Sequence, residues 1–181
     1  MISHRPNVGH LAITRLFDSG IVSAVVTQNI DGLHQEAGVP DRAVIELHGS
    51  ARRVHCLDCG RVWDGREIQQ RQDDGEELPI CRNCGGPMRA QTVLFGESLP
   101  PEALRRAIEI ARTCELMLVV GSSLVVQPAA SVPLEAVRKG IPMAIINLST
   151  TPLDDLATIR VPLPAGATLT TLAEALTDTQ R

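Results

Sequence analysis

Two C-x-x-C turns, Cys56 with Cys59 and Cys81 with Cys84, limit what this chain can fold into more than any other feature. Within each turn two thiolates can point at one centre, and two such turns complete a tetrahedron around Zn²⁺. Gly60 and Gly85 follow the second cysteine of each pair, where a left-handed backbone is adopted without a Cβ penalty and amides can turn toward sulfur. Paired disulfides or redox motifs are the alternatives. The opening Met1–Pro6 lacks the apolar segment of a secretory signal, which argues against the first, and the twinned spacing argues against the second. Four thiolates leave no open coordination position, so the expected zinc is structural and staples a small ribbon too poor in apolar residues to fold unaided. His55 adjoins Cys56 but is not needed by an ion that four cysteines already satisfy, and Cys114 is expected to be a small core residue.

Around this insert, apolar runs alternate with helical patterns, the sign of an α/β fold with a parallel sheet covered by helices. Helical spacing runs from Gly9 to Ser19, Asp31 to Ala37, Pro101 to Thr113, Pro128 to Arg138 and Thr170 to Leu176. Strands are expected at Ile21–Thr27, Leu116–Val120, Met143–Asn147 and about Ile159–Leu163. The stretch Arg71–Glu77 reads as a charged, flexible arm. One domain carrying a small insert suits 181 residues, with 1–50 and 91–181 forming the main body and 51–90 the ribbon. With two Phe, one Trp and no Tyr, the core is expected to be aliphatic. A net charge of -4 with interspersed signs offers no broad basic face, and the scarcity of aromatics leaves little for bases to stack on, so nucleic acid is not the expected partner. No apolar run is long enough to span a bilayer, and a cytoplasmic location is expected.

Ligands of parallel sheets collect at the carboxyl ends of strands, and three such ends here are chemically loaded. The first continues as Thr27-Gln28-Asn29-Ile30-Asp31-Gly32-Leu33-His34, where amides and a carboxylate can fix a carboxamide, although Asp31 also suits helix capping. After Val120 comes Gly121-Ser122-Ser123-Leu124, a glycine turn into a helix whose amides and hydroxyls suit a phosphate or ribose. After Ile146 comes Asn147, placed for a ribose or adenine or equally for a turn. A fourth segment, Glu46-Leu47-His48-Gly49-Ser50, leads into the insert. His48 is the best general-base candidate, because imidazole accepts a proton near neutral pH and Gly49 admits a substrate to the ring; His4, His10 and His34 compete for that role.

Taken together, TQNIDGLH at residues 27–34, ELHG at 46–49, the paired cysteine turns, FGE at 95–97, GSSL at 121–124 and IIN at 145–147 resemble the motifs of the sirtuin family in their usual order. The resemblance runs from about Pro6 to the end. It implies a Rossmann-like large domain with a four-cysteine zinc ribbon, and NAD-consuming removal of acyl groups from protein lysine side chains, releasing nicotinamide and O-acyl-ADP-ribose. By that match Gln28, Asn29 and Asp31 border the nicotinamide and ribose, and Gly121, Ser122 and Asn147 hold the rest of NAD. His48 is then the base, and Val93, Phe95, Gly96, Glu97 and Val126 flank an acyl-lysine peptide that pairs as an added strand.

One departure from the family pattern is equally plain. Sirtuins open with a strand and a glycine-rich turn like G-A-G-I-S, followed by an arginine-bearing cofactor loop, and no such turn precedes Val22 here. The Rossmann-like sheet is therefore expected to be incomplete at its N-terminal side, with one strand lacking its neighbour and prone to self-association. Two other functions remain open on the sequence: an incomplete fragment serving as a zinc-ribbon interaction module, and a protein ADP-ribosyltransferase using the same NAD pocket.

Overall fold

The local chemistry of the first helix is simple. Asn7 accepts the N–H groups of Gly9 at 2.9 Å and His10 at 3.2 Å, capping α1 (Val8–Asp18). Gly20, at φ +74°, then turns the chain back. Ile21 and Val22 both donate to the carbonyl of Leu16, so half of the apolar run expected as a strand closes the helix instead. Only β1 (Val25–Thr27) remains extended. The computed structural model describes residues 4–178, and Met1–Ser3 of the opening segment considered above lie outside them.

After α2 (Leu33–Ala37), β2 (Val44–Glu46) pairs in parallel with β1. The insert follows as β3 (Gly49–Cys56), β4 (Val62–Asp64), α3 (Gly65–Asp73) and β5 (Met88–Thr92), its strands antiparallel in the order β4-β3-β5. The chain then runs through α4 (Pro101–Ala111), β6 (Met117–Val120), α5 (Ser131–Arg138), β7 (Met143–Ile146), β8 (Ile159–Val161) and α6 (Ala165–Asp178). Strands β6, β7 and β8 form a parallel sheet in that order. This is the expected α/β fold with helices on both faces.

Alternation along β6 decides which face meets which helices. Met117 and Val119 pack with Met143, Ile145, Ala130 and Leu134 on the α5 side, while Leu118 and Val120 pack with Ala12 and Leu16 of α1 and Leu169 and Ala173 of α6. Leu16, Met143 and Ile145 are almost wholly buried, each contributing about 1.5–3 kcal/mol by leaving water. Val26, Ile45 and Leu47 join Leu99, Ala107, Ala111 and Val132 in a third cluster that also touches Met117. That cluster ties the β1-β2 pair to the β6-β7-β8 sheet, for among the described residues no backbone pairing joins the two.

The expected flexible arm is a correction. Residues Gly65, Ile68 and Arg71 are buried at a three-residue spacing along one face of α3, and the Arg71 guanidinium forks onto Glu76 at 2.6 and 2.8 Å while also donating to the Ile80 carbonyl at 2.7 Å. Charge alone suggested solvent there. With Nε and Nη2 met by a carboxylate and a carbonyl the guanidinium can be buried although its Nη1 has no partner among the described residues, and it ties the end of α3 to the segment just before Cys81.

His10 of α1 and His34 of α2 meet edge to face, with ring centroids 4.9 Å apart. Burial lowers both imidazoles from their ordinary 6.5; His10 lowers His34 further, and Asp31 opposes the shift at both. A histidine held below its unfolded value contributes stability above about pH 6.5 and loses it as pH falls through the lowered folded value. Urea midpoints should therefore drop between pH 7 and pH 5, and the drop should shrink in a His10→Gln, His34→Gln double variant.

Candidate active site

The β2–β3 turn carries His48 to the centre of the molecule. Its backbone is fixed from two sides: Leu47 donates to the Thr27 carbonyl at 2.9 Å, and Val93, just after β5, donates to the His48 carbonyl at 3.0 Å. Gly49 makes the turn possible. It sits at φ +73°, and a Cβ there would lie 2.0 Å from the Gln91 carbonyl oxygen, so no side chain can be placed.

The ring itself is oriented by one hydrogen bond, His48 Nδ1 to the Gln28 carbonyl at 2.8 Å. A carbonyl only accepts, so Nδ1 must carry the hydrogen and donate. In the neutral imidazole that leaves Nε2 unprotonated, the tautomer a general base requires. The half-buried ring keeps one side open.

Gln28 also reaches the opposite way, its Nε2 lying 3.4 Å from Ser122 Oγ. The loops after β1 and β6 thus meet beside His48. The Gly121 amide donates to the Ile146 carbonyl at 2.9 Å, which sets the start of the loop after β6 against the end of β7 and hence near Asn147. Ser122 Oγ additionally accepts the Leu124 amide. One expectation changes here: Gly121 does not open a helix, since α5 begins at Ser131 and the intervening residues are irregular, with Leu124 at φ +54°. The phosphate-suited amides are therefore those of a loop, not of a helix terminus.

Three other candidates show their local roles. Asp31 Oδ1 accepts the Leu33 amide at 3.0 Å, a turn bond just ahead of α2, whose N-cap position is Gly32 and carries no side-chain cap. Asn147 donates its amide to the Ser149 carbonyl at 2.9 Å, as a turn former does. Asn29 is exposed, its backbone amide held by Thr27 Oγ1 at 3.0 Å.

Beyond Val93 the chain runs exposed through Leu94, Phe95, Gly96 and Glu97, with Phe95 fully in solvent. Val126 is likewise exposed. The exposed segment at Leu94 and Phe95 starts one residue beyond the Val93 contact with His48, and such a surface suits a peptide, whereas among the described residues no such contact joins Val126 to His48. Glu97 is held by Arg89, at 2.7 and 2.9 Å, and by the Leu94 amide at 2.9 Å; these contacts, the guanidinium foremost, keep its carboxyl below the usual range. Neither Arg89 nor Arg52, which donates to the Asp31 carbonyl at 2.9 Å and ion-pairs with Glu36, stood out in the sequence. An arginine near a carboxylate in space carries no local signature when the partner lies in another element.

The four cysteines come together as their spacing implied. Their Sγ atoms all lie within 4.8 Å of one another, with Cys56 and Cys84 3.4 Å apart and Cys59 and Cys81 3.7 Å apart. Tetrahedral Zn–S bonds of about 2.3 Å place sulfurs roughly 3.8 Å apart, so the donor set and its size both fit zinc. Cys114 stands apart, half-buried and bonded to the Ala111 carbonyl, and burial raises its thiol.

Comparison with known proteins agrees with this arrangement. Residues 1–128 match the model of the Sir2 family. The chain is 42% identical over 160 residues to an NAD-dependent protein deacetylase of Thermotoga maritima, covering 88% of this chain and 64% of that protein. It is 45% identical over 170 residues to NAD-dependent protein deacylase 2 of Archaeoglobus fulgidus, covering 93% of this chain and 66% of the relative. Among solved structures, a Sir2 protein bound to an acetylated peptide superposes with a TM-score of 0.89 at 38% identity, covering 97% of this chain and 73% of the other. The paired cysteine turns, the oriented histidine and this likeness in sequence and fold converge on one conclusion: the chain belongs to the Sir2 family.

Proposed function

We propose that this chain removes acyl groups from lysine side chains of proteins with NAD as co-substrate, His48 acting as the base. The observation that carries this reading is the bond from His48 Nδ1 to the Gln28 carbonyl, which leaves Nε2 bare beside the loop of Ser122. Deacetylases and deacylases among the relatives described above support the same activity.

Each residue type suits its part. Gln28, Asn29 and Asp31 would border the carboxamide and ribose of NAD, and Gly121, Ser122 and Asn147 the remainder; amides and hydroxyls, rather than cations, suit those groups. Bound NAD supplies a sugar carbon activated by departure of nicotinamide. His48 Nε2 would take the proton of a ribose hydroxyl, and the Gln28 carbonyl would stabilise the resulting imidazolium through Nδ1–H. Val93, Phe95, Gly96 and Val126 would flank the peptide, and the bond from the Val93 amide to the His48 carbonyl would fix the distance between peptide and base. The cofactor body would comprise residues 1–50 and 91–181, and the zinc ribbon residues 51–90. A cytoplasmic location belongs to the same proposal; among the described residues no helix is long and apolar enough to cross a membrane.

The test is to incubate the zinc-loaded chain with NAD and an acetyl-lysine peptide, following peptide mass and free nicotinamide together. Acyl loss matched one-to-one by nicotinamide is the expected outcome. Nicotinamide release with ADP-ribose left on protein would replace this reading by ADP-ribosyl transfer, and no release would remove the enzymatic reading from the chain.

A further inference from the structure

The geometry points to Arg89 and Glu97 as positioning residues for the peptide-binding loop, a role that rests on the deacylase reading and changes what Glu97 does within it. By motif alone Glu97 borders substrate. In the structure its carboxylate is already engaged on both oxygens, facing its own chain.

The arrangement is a closed clamp. Arg89 lies in β5 and Glu97 eight residues later, on the far side of the loop. The guanidinium meets the carboxylate in a fork, Nη1 to Oε1 at 2.9 Å and Nη2 to Oε2 at 2.7 Å, and Nη2 also donates to the Thr92 carbonyl at 3.0 Å. Glu97 Oε2 accepts the Leu94 amide at 2.9 Å, and the Glu97 amide returns a bond to the Leu94 carbonyl at 3.0 Å. Thr92, Leu94 and Glu97 are thereby fixed to one ion pair. Among the described residues, the backbone amides of Phe95 and Gly96 make no such bond, and Phe95 stands fully exposed.

That division has a consequence for binding. A peptide docks at lower cost on a loop that is already ordered, because ordering a loop on binding costs about 1–2 kcal/mol per residue. The clamp orders the loop in advance as a turn closed by the Glu97 amide on the Leu94 carbonyl, with Gly96 at φ +87°, and leaves the Phe95 and Gly96 amides outside that pairing. The fork geometry matters as well as the charge, since lysine offers one point of contact where arginine offers two parallel bonds. Glu97 then contributes to peptide affinity without touching peptide.

The experiment compares the wild-type zinc-loaded chain with E97Q, R89K and the charge-swapped double variant R89E/E97R. Binding of a fluorescent acetyl-lysine peptide is measured without NAD, and kcat and KM are measured with it. E97Q and R89K should each weaken peptide binding about tenfold, the loss expected for a charge-assisted bond. Peptide KM should rise in step while kcat and the KM for NAD move less than about twofold, and the double variant should recover part of the affinity. A merely structural pair would instead lower kcat, zinc content and peptide affinity together. Peptide affinity unchanged in E97Q and R89K overturns this proposal alone; a wild-type chain that captures no acetyl-lysine peptide overturns it together with the deacylase reading.

Discussion

Replacement of His48 by alanine should slow acyl removal by about 10²- to 10⁴-fold, the range for a positioned acid–base group, or roughly 3–5 kcal/mol of barrier. The ring is the sole group at this turn whose tautomer is fixed by a carbonyl and whose other nitrogen is free to accept. Peptide binding should survive, because the contact of residue 48 with the Val93 amide is made by backbone. Rate and peptide affinity measured on the same preparation separate the two roles. A variant deacylating at near wild-type rate would remove His48 from the chemistry, and attention would pass to the His10–His34 pair.

Removal of zinc is the second large effect. Structural zinc sites contribute on the order of 10–16 kcal/mol to the folding of the peptides they staple, comparable to the whole stability of an ordinary domain. In this chain the loss would not stay local. Strand β3 begins at Gly49, one residue after His48, and β5 ends next to Val93, whose amide holds the His48 carbonyl. The cysteine turns, at the far end of β3 from Gly49, thus brace the His48 turn through two paired strands. A chelator, or Cys81→Ser, should release one zinc per chain, melt the β4-β3-β5 sheet and abolish deacylation, although the metal reaches no substrate. Metal analysis, circular dichroism and activity should fall together; activity retained after zinc is gone would sever the ribbon from the active site.

Both expectations combine features of different legibility. The tetrad was readable because C-x-x-C is a short-range constraint: two turns, each complete within four residues, define the ligands before any packing is known. The helices α1 and α4 were legible for a like reason, because apolar periodicity is complete within their own residues, while the Asn7 cap emerged only in the structure. Apolar composition extends the expected strand back to Ile21 because it does not reveal that Ile21 and Val22 spend their amides on Leu16. The arm at Arg71–Glu77 failed for a related reason. Its charges look solvated until Glu76 and the Ile80 carbonyl are seen to hold the Nε and Nη2 of a buried guanidinium.

Sequence by itself determined the metal ligands, the order of alternating elements and the loops in which chemistry could reside, because those depend on spacing within a few residues. Tertiary structure decided the rest. The proton on His48 is assigned by a carbonyl twenty residues away, Gln28 reaches Ser122 from another strand, and Glu97 faces Arg89 rather than a ligand. Hydrogen bonds between distant residues depend on where the chain returns in space, and no local pattern encodes that return.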